Sequence, residues 1–461
     1  MNKKILYVLS GWPPNVGGGV IVYVKNLREE FLKKGFDVYI LYNGKYNFLV
    51  NYPYIKKSNN EKIYALINAM HFINIEDNPY SDKYMDKIFS EFIKDINPDI
   101  IHFNDIVGMP FSFVKAAKTY SNAKIINTFH NYYYICPRRD LMHIDGTHCN
   151  LCIEGYVCSE CTINITSFKR MVNLLKFLLW AYSKNILPRT FYMKLLSFIQ
   201  KSISLEKLNF FTSEDIINSN SNNKKIYSKR AAYAKEMLNK YTDLNISVSN
   251  DVYNIFTKFG VSKNKNIVLP IGTKASEIIS HSNKKLNKNM ITFGYMGGPQ
   301  HIKGLYLLVS VFNSLSKYYN NINLVIYGVN KDVFEDSNNM TINNNSIYFK
   351  GNYKYSELNT ILKNFDIGIV PPIWHDNAPQ VVFEFLSAKI PVIGAKIGGI
   401  PDFVHNNENG LLFKAGNKTD LAQKMEMIIK NPTIINKFKK NIKPMKTMHE
   451  HVDELIKIYE E

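Results

Sequence analysis

Short apolar runs alternate with helix-periodic stretches along most of the chain, the pattern of a parallel sheet whose strands are joined by helices. Lys4 to Leu9 reads as a strand, followed by the loop GWPPNVGGG and the helical VIVYVKNLREEFLKKG, which Gly35 closes. Asp37 to Tyr42, Asp99 to Phe103 and Lys124 to Phe129 are further strands, the last two flanking a helix over Val107 to Tyr120. Leu244 to Ser249 and Asn266 to Leu269 read as strands with a helix between them, and the polar KASEIISHSNKKLNKN as a linker. The alternation then restarts. Ile291 to Met296, the loop GGPQHIKG, a helix over Leu305 to Ser316 and the strand Ile322 to Tyr327 form one βαβ unit. Ile367 to Val370, a Pro- and Trp-bearing loop, a short amphipathic helix and Pro391 to Gly394 form another, followed by a Gly-Gly turn. Residues 45–90, rich in Asn, Lys and Tyr, carry no legible chemistry.

The pattern predicts an α/β chain of two Rossmann-like domains. An N-terminal domain over 1–270 carries a cysteine-rich loop (136–161) and a basic helical insertion (162–240); a C-terminal domain covers 271–440. A final helix within 441–461 is expected to cross back to the N-terminal domain. A length of 461 residues suits two cores.

Charge and cysteine content narrow the class. The net charge of +18 favours an anionic partner, and 14 Lys/Arg against 4 Asp/Glu place a net of +10 between Thr162 and Lys240. Within 168–208 these cations share helical segments with Leu, Phe, Trp and Tyr, the composition of a helix that lies on a membrane surface or packs on its own domain. No motif for nucleic-acid recognition accompanies them, so nucleic acid is not expected as a partner. With no signal peptide, no run long enough to span a bilayer and an odd number of clustered cysteines, the expected location is cytoplasmic, peripheral to the membrane.

Candidate chemistry lies in the loops that follow strands. Gly17, Gly18 and Gly19 let the backbone approach a phosphate or sugar, or make a plain tight turn. His130 ends a strand, where a doubly wound sheet binds ligands. Lys303 precedes a helix N-terminus and suits a diphosphate, or is a solvated surface lysine. Glu384 follows Asp376 by eight residues, and a carboxylate there accepts two hydrogen bonds from vicinal sugar hydroxyls. Cys149, Cys152, Cys158 and Cys161 form two CxxC pairs suited to structural zinc, with Cys136, His143 and His148 as further candidate ligands. An iron–sulfur cluster and free thiols are the other readings.

The stretch from Ile291 to Gly410 resembles the GT-B glycosyltransferases of the retaining family-4 type, the glycosyl transferases of group 1, here with a cysteine-rich insertion. The resemblance rests on the glycine–lysine loop Gly297 to Gly304, on D-NAPQVVF-E with the family's Glu-x7-Glu spacing, and on PVIGAKIGGIP after it. It implies two domains facing across a cleft and transfer of a hexosyl unit with retention. The donor would be a UDP- or GDP-sugar, and the acceptor a glycan or lipid-linked glycan in surface polysaccharide synthesis. No catalytic metal is required. By the resemblance Glu384 holds the donor ribose, Asp376 the transferred sugar and Lys303 the diphosphate, while Asn377, Ala378 and Pro379 line the donor loop. Gly17 to Gly19 are the N-terminal glycine loop and His130 is the cleft histidine. Asp376 is one methylene shorter than the family's Glu, and Gly298 stands where the family has an arginine. A sugar-nucleotide 2-epimerase of similar fold, or a membrane-associated scaffold without catalysis, are the alternatives.

Overall fold

The structure, a computed structural model, describes residues 3–13, 18–45, 52–59, 61–69, 80–143, 145–149, 226–280, 289–338 and 341–461, with isolated positions between. Gly17, Cys152 and the basic segment 168–208 lie outside the described residues. The chain divides into two compact units. The larger comprises 1–73, 81–131 and 236–461 and holds two sheets.

The first sheet contains β1 (Lys4–Leu9), β2 (Asp37–Asn43), β3 (Tyr54–Asn59), β4 (Ile63–Ile67), β5 (Ile100–Phe103), β6 (Lys124–Phe129), β7 (Leu244–Ser247) and β8 (Asn266–Val268). Their order is β3-β4-β2-β1-β5-β6-β7-β8. All neighbours are parallel except the β3–β4 pair at the edge. The second sheet contains β9 (Ile291–Met296), β10 (Ile322–Tyr327), β11 (Ile347–Phe349), β12 (Ile367–Val370), β13 (Val392–Ala395) and β14 (Gly410–Phe413). It runs β11-β10-β9-β12-β13-β14, parallel throughout. β12 and β13 are buried at every position because helices cover both faces, hence their continuous apolar runs. The strand order reverses beside β1 in one sheet and beside β9 in the other, so loops leaving the carboxyl ends there diverge and leave a crevice.

Some boundaries differ from expectation for local reasons. The helix predicted from Val107 begins at Ser112, since Gly108 takes φ +80 and Pro110 lacks an amide proton for the helical ladder. Ser249, expected to end a strand, instead accepts a hydrogen bond from the Val252 amide and caps the helix Asn250–Phe259. Residues 45–90 contribute the β3–β4 edge and the helix Lys83–Ile96, which Asp82 caps through the Tyr84 and Met85 amides. The last helix, Met448–Glu460, packs on the first sheet: Tyr459 Oη lies 3.2 Å from Tyr7 Oη, and Lys34 pairs with Asp453 at 2.7 Å.

The smaller unit, 74–80 and 132–235, contains a short hairpin closed by the Met142–His148 bridge. Arg230, 2% exposed, donates to the carbonyls of Tyr133 and Tyr134 and stacks over Tyr80 and Tyr133, so its charge is buried among acceptors and π faces.

Candidate active site

Loops from the carboxyl ends of both sheets of the larger unit enclose a cleft of about 410 Å³. Gly19, His130, Lys303, Asp376, Asn377 and Glu384 all line it, together with Ala378 and Pro379. Gly297 rather than Gly298 faces the cleft; the Gly298 carbonyl accepts a hydrogen bond from Tyr295 Oη. Among the described residues Lys303 is the single Lys or Arg in the lining.

Lys303 ends a short 3-10 turn, His301–Lys303, before the helix Leu305–Leu315. Gly304 makes that junction: its φ is +74, and a Cβ would come 1.8 Å from the Pro371 carbonyl oxygen, so no other residue fits without displacing the donor loop. Lys303 Nζ meets Asp376 Oδ2 at 2.7 Å and lies 5.3 Å over the Trp374 ring. Charge pairing and ring contact hold the ammonium at the cleft wall, beside the unpaired amides that open the following helix.

Asp376 and Asn377 are fixed from behind by the Gly-Gly turn. The Gly399 amide donates to the Asp376 carbonyl at 2.8 Å, and a Cβ on Gly398 or Gly399 would stand 2.2 or 2.1 Å from the carbonyl oxygens of Asp376 and Asn377. Asn377 is 4% exposed; its Nδ2 donates to the Phe129 carbonyl at 3.4 Å, while Oδ1 has no partner.

Glu384 sits on the helix Gln380–Ser387, 8% exposed, with no hydrogen bond to its carboxylate among the described residues. Burial pushes its pKa up to about 7. Its carboxylate opens onto the cleft, where a ligand's hydroxyls can supply the donors that the protein does not.

His130 follows β6 and reaches the same cleft. Its Nε2 lies 3.2 Å from Asn104 Oδ1, and its ring centroid 4.7 Å from that of Tyr23. Asn104 donates through Nδ2 to the His102 carbonyl, so its Oδ1 faces the imidazole and His130 carries its proton on Nε2. Burial lowers the His130 pKa to about 3, which leaves Nδ1 as a neutral acceptor at ordinary pH. Such a ring accepts from a hydroxyl and cannot donate from Nδ1 to a phosphate.

Sequence reasoning missed Tyr23, Asn104, Trp374 and the pair His375–Asp251, whose Nδ1 and Oδ2 are 2.7 Å apart. His375 adjoins Asp376, and that adjacency was the available signal. The zinc reading of the cysteines finds no support among the described residues, and Cys152 lies outside them. Among the described residues no three His, Cys, Asp or Glu side chains are placed to hold a metal ion. Cys149 follows the hairpin and donates its amide to Leu141, while Cys161 Sγ meets His143 Nδ1 at 3.6 Å as a thiol–imidazole contact. No helix among the described residues is long and apolar enough to cross a membrane.

Comparison with known proteins agrees with this arrangement. The family model Glycosyl transferases group 1 matches residues 276–445, and that of Glycosyltransferase Family 4 matches residues 17–151. A curated relative, the capsular polysaccharide biosynthesis glycosyltransferase CapM of Staphylococcus aureus, is 28% identical over 235 residues, 50% of this chain and 56% of its own length. The match therefore spans little more than half of that relative. Among solved structures, sucrose-phosphate synthase from Thermosynechococcus elongatus superposes with a TM-score of 0.60 at 14% identity, covering 100% of this chain and 98% of that one. Anabaena HepE in complex with UDP and glucose gives 0.60 at 12% identity, covering 100% of both. At such identities the structures speak for the fold alone. Two largely parallel sheets whose loops line one cleft, with a matching family model on each, show that the chain carries a Glycosyl transferases group 1 domain and a Glycosyltransferase Family 4 domain on the GT-B fold.

Proposed function

We propose that the protein transfers a hexosyl unit from a UDP- or GDP-sugar to a glycan or lipid-linked acceptor, with retention, in the making of a surface polysaccharide. One observation carries the reading: Glu384 is a buried, unpartnered carboxylate in a cleft that also offers one lysine and, after Gly304, a helix N-terminus. A ribose diol supplies the two donors that Glu384 lacks, and a diphosphate suits Lys303 and the amides after Gly304. CapM supports the polysaccharide setting, and HepE with UDP makes uridine the first nucleotide to try.

In the proposed reaction the anomeric C–O bond to the diphosphate breaks and its electron pair stays on the phosphate oxygen. The acceptor oxygen bonds to the same face of the anomeric carbon, and its proton passes to the departing phosphate. Lys303 and the helix amides stabilise charge that grows on the leaving group, where preorganised donors count most. Asp376 and the Nδ1 of His130 accept hydrogen bonds from sugar hydroxyls. No protein base and no metal ion are needed in this scheme.

Thermal stabilisation by UDP, GDP, UDP-glucose, UDP-N-acetylglucosamine and GDP-mannose tests the donor site. Ligand at about 100 times its Kd adds roughly 2.7 kcal/mol. The expected result is a shift with one nucleotide family that is lost in Lys303→Ala and Glu384→Ala. No shift with any of them overturns the reading.

Two finer proposals accompany it. The basic, aromatic 168–208 would hold the enzyme at the inner membrane face near a lipid-linked acceptor; absence of co-sedimentation with anionic vesicles removes that. Cys149, Cys152, Cys158 and Cys161, with Cys136, would hold a structural zinc, motivated by the spacing; metal-free protein purified under reducing conditions removes that.

A further inference from the structure

His451 lies on the last helix, 1% exposed, more than 300 residues from the cleft histidine in sequence. Its Nε2 is 2.6 Å from Tyr23 Oη, and its ring centroid 5.6 Å from the Tyr23 ring. Tyr23, 3% exposed, presents its ring to His130 at 4.7 Å and 57°, and both residues line the cleft. We propose that His451 is a positioning residue for His130, acting through the Tyr23 hydroxyl.

The bond directions are consistent. His451 Nδ1 makes no hydrogen bond, and the Glu454 carboxylate stands 3.9 Å from it. A proton on Nδ1 faces that carboxylate and leaves Nε2 as the acceptor for the Tyr23 O–H. Pinned at its tip, the Tyr23 ring cannot swing, so its face fixes one side of the His130 imidazole. The same helix also braces His102, whose backbone carbonyl holds the residue bonded to His130 Nε2. Tyr459 Oη meets His102 Nδ1 at 2.6 Å, His102 Nε2 meets Thr128 Oγ1 at 2.7 Å, and the His102 carbonyl orients Asn104 toward His130. A side chain needed there for packing alone would be apolar, because a buried imidazole costs free energy unless its hydrogen bond is used. The last helix thus sets the tautomer and the tilt of the ring that meets the sugar.

This inference rests on the reading of His130 as a sugar-binding residue, and the test separates the two. In protein with isotopically labelled histidine rings, the His130 resonance is assigned by its loss in His130→Gln. His451→Phe and Tyr23→Phe are expected to move that resonance, and His451→Gln, whose carbonyl oxygen accepts from Tyr23, to restore it. In UDP release from UDP-glucose or GDP release from GDP-mannose, His451→Phe lowers kcat about tenfold with donor KM unchanged. On a His130→Ala background it lowers kcat no further. An unmoved His130 resonance in both Phe variants, with the thermal midpoint alone reduced, overturns the proposal. A His130→Ala enzyme that turns over normally overturns the role of His130 instead, and the resonance still decides whether His451 positions it.

Discussion

On the proposed function, Glu384 would join stability to binding in one carboxylate. Burial holds its folded-state pKa near 7, above the ordinary carboxylate value, so the stability it allows is present below that ordinary value and lost as pH rises through about 7. Glu384→Gln is therefore expected to match the parent near pH 4 and exceed it at pH 8 by on the order of 3 kcal/mol in urea unfolding. Donor binding runs the other way, since sugar hydroxyls donate to the ionised form. Affinity for UDP-glucose, whose diphosphate does not titrate near neutrality, should rise through pH 7 in the parent and stay weak and flat in Glu384→Gln. A parent affinity independent of pH from 6 to 8 would contradict this. Asp376→Asn leaves Lys303 without its 2.7 Å counter-charge, so UDP should bind about two- to fivefold tighter while sugar transfer falls; isothermal titration reads the first and product formation the second. That Asp376, Glu384 and Lys303 share one cleft was legible because each belongs to a contiguous loop-and-helix motif. His130 was legible from its place after a strand. Tyr23 and His451 were not, because 428 residues separate them and the pairing exists only once the last helix has docked.

Glycines set the elements around the site, and they do so in two distinct ways. Gly304 has φ +74 and its Cβ position lies within 1.8 Å of the Pro371 carbonyl oxygen, so Gly304→Ala strains the backbone and pushes on β12's loop together. A loss of about 1–3 kcal/mol in urea unfolding is expected. Gly399 has φ −80, an ordinary value, and only the space near the Asn377 carbonyl oxygen is missing. Gly399→Ala should therefore spare most stability but shift the donor loop, weakening UDP binding about tenfold. Equal loss of stability in both variants would mean that the turn supports the fold rather than the site. At this scale apolar runs identified most strands, because parallel strands covered on both faces leave little ambiguity. The β3–β4 edge escaped detection: one strand, YIKKSN, is antiparallel and largely solvent-facing, so it lacks an apolar period.

Across the molecule, the loops after β12 and β13 are tied to the N-terminal end of the helix Asn250–Phe259 by two polar contacts that no local pattern announces. His375 pairs with Asp251, and the Asn250 amide at the helix N-terminus donates to Asp402 Oδ2 at 2.7 Å. None of these four residues lines the cleft, so the contacts hold the loops of the two sheets together rather than touch a ligand. The His375 and Asp251 side chains are 26% and 29% exposed, which limits such a pair to about 0.5–1 kcal/mol. If closure must precede productive binding, that energy appears as a two- to fivefold rise in donor KM when the pair is removed. Asp251→Ala is expected to show it, with a larger radius of gyration in solution scattering and an unchanged thermal midpoint. Salt supplies the internal control. With the imidazole protonated this half-buried contact is an ion pair, screened over a Debye length of about 3 Å at 1 M ionic strength, so under that condition the parent in 1 M KCl should approach the KM of Asp251→Ala while the variant barely responds. If salt raises the KM of both equally, screening acts on the donor's own charge at Lys303 and the latch contributes nothing.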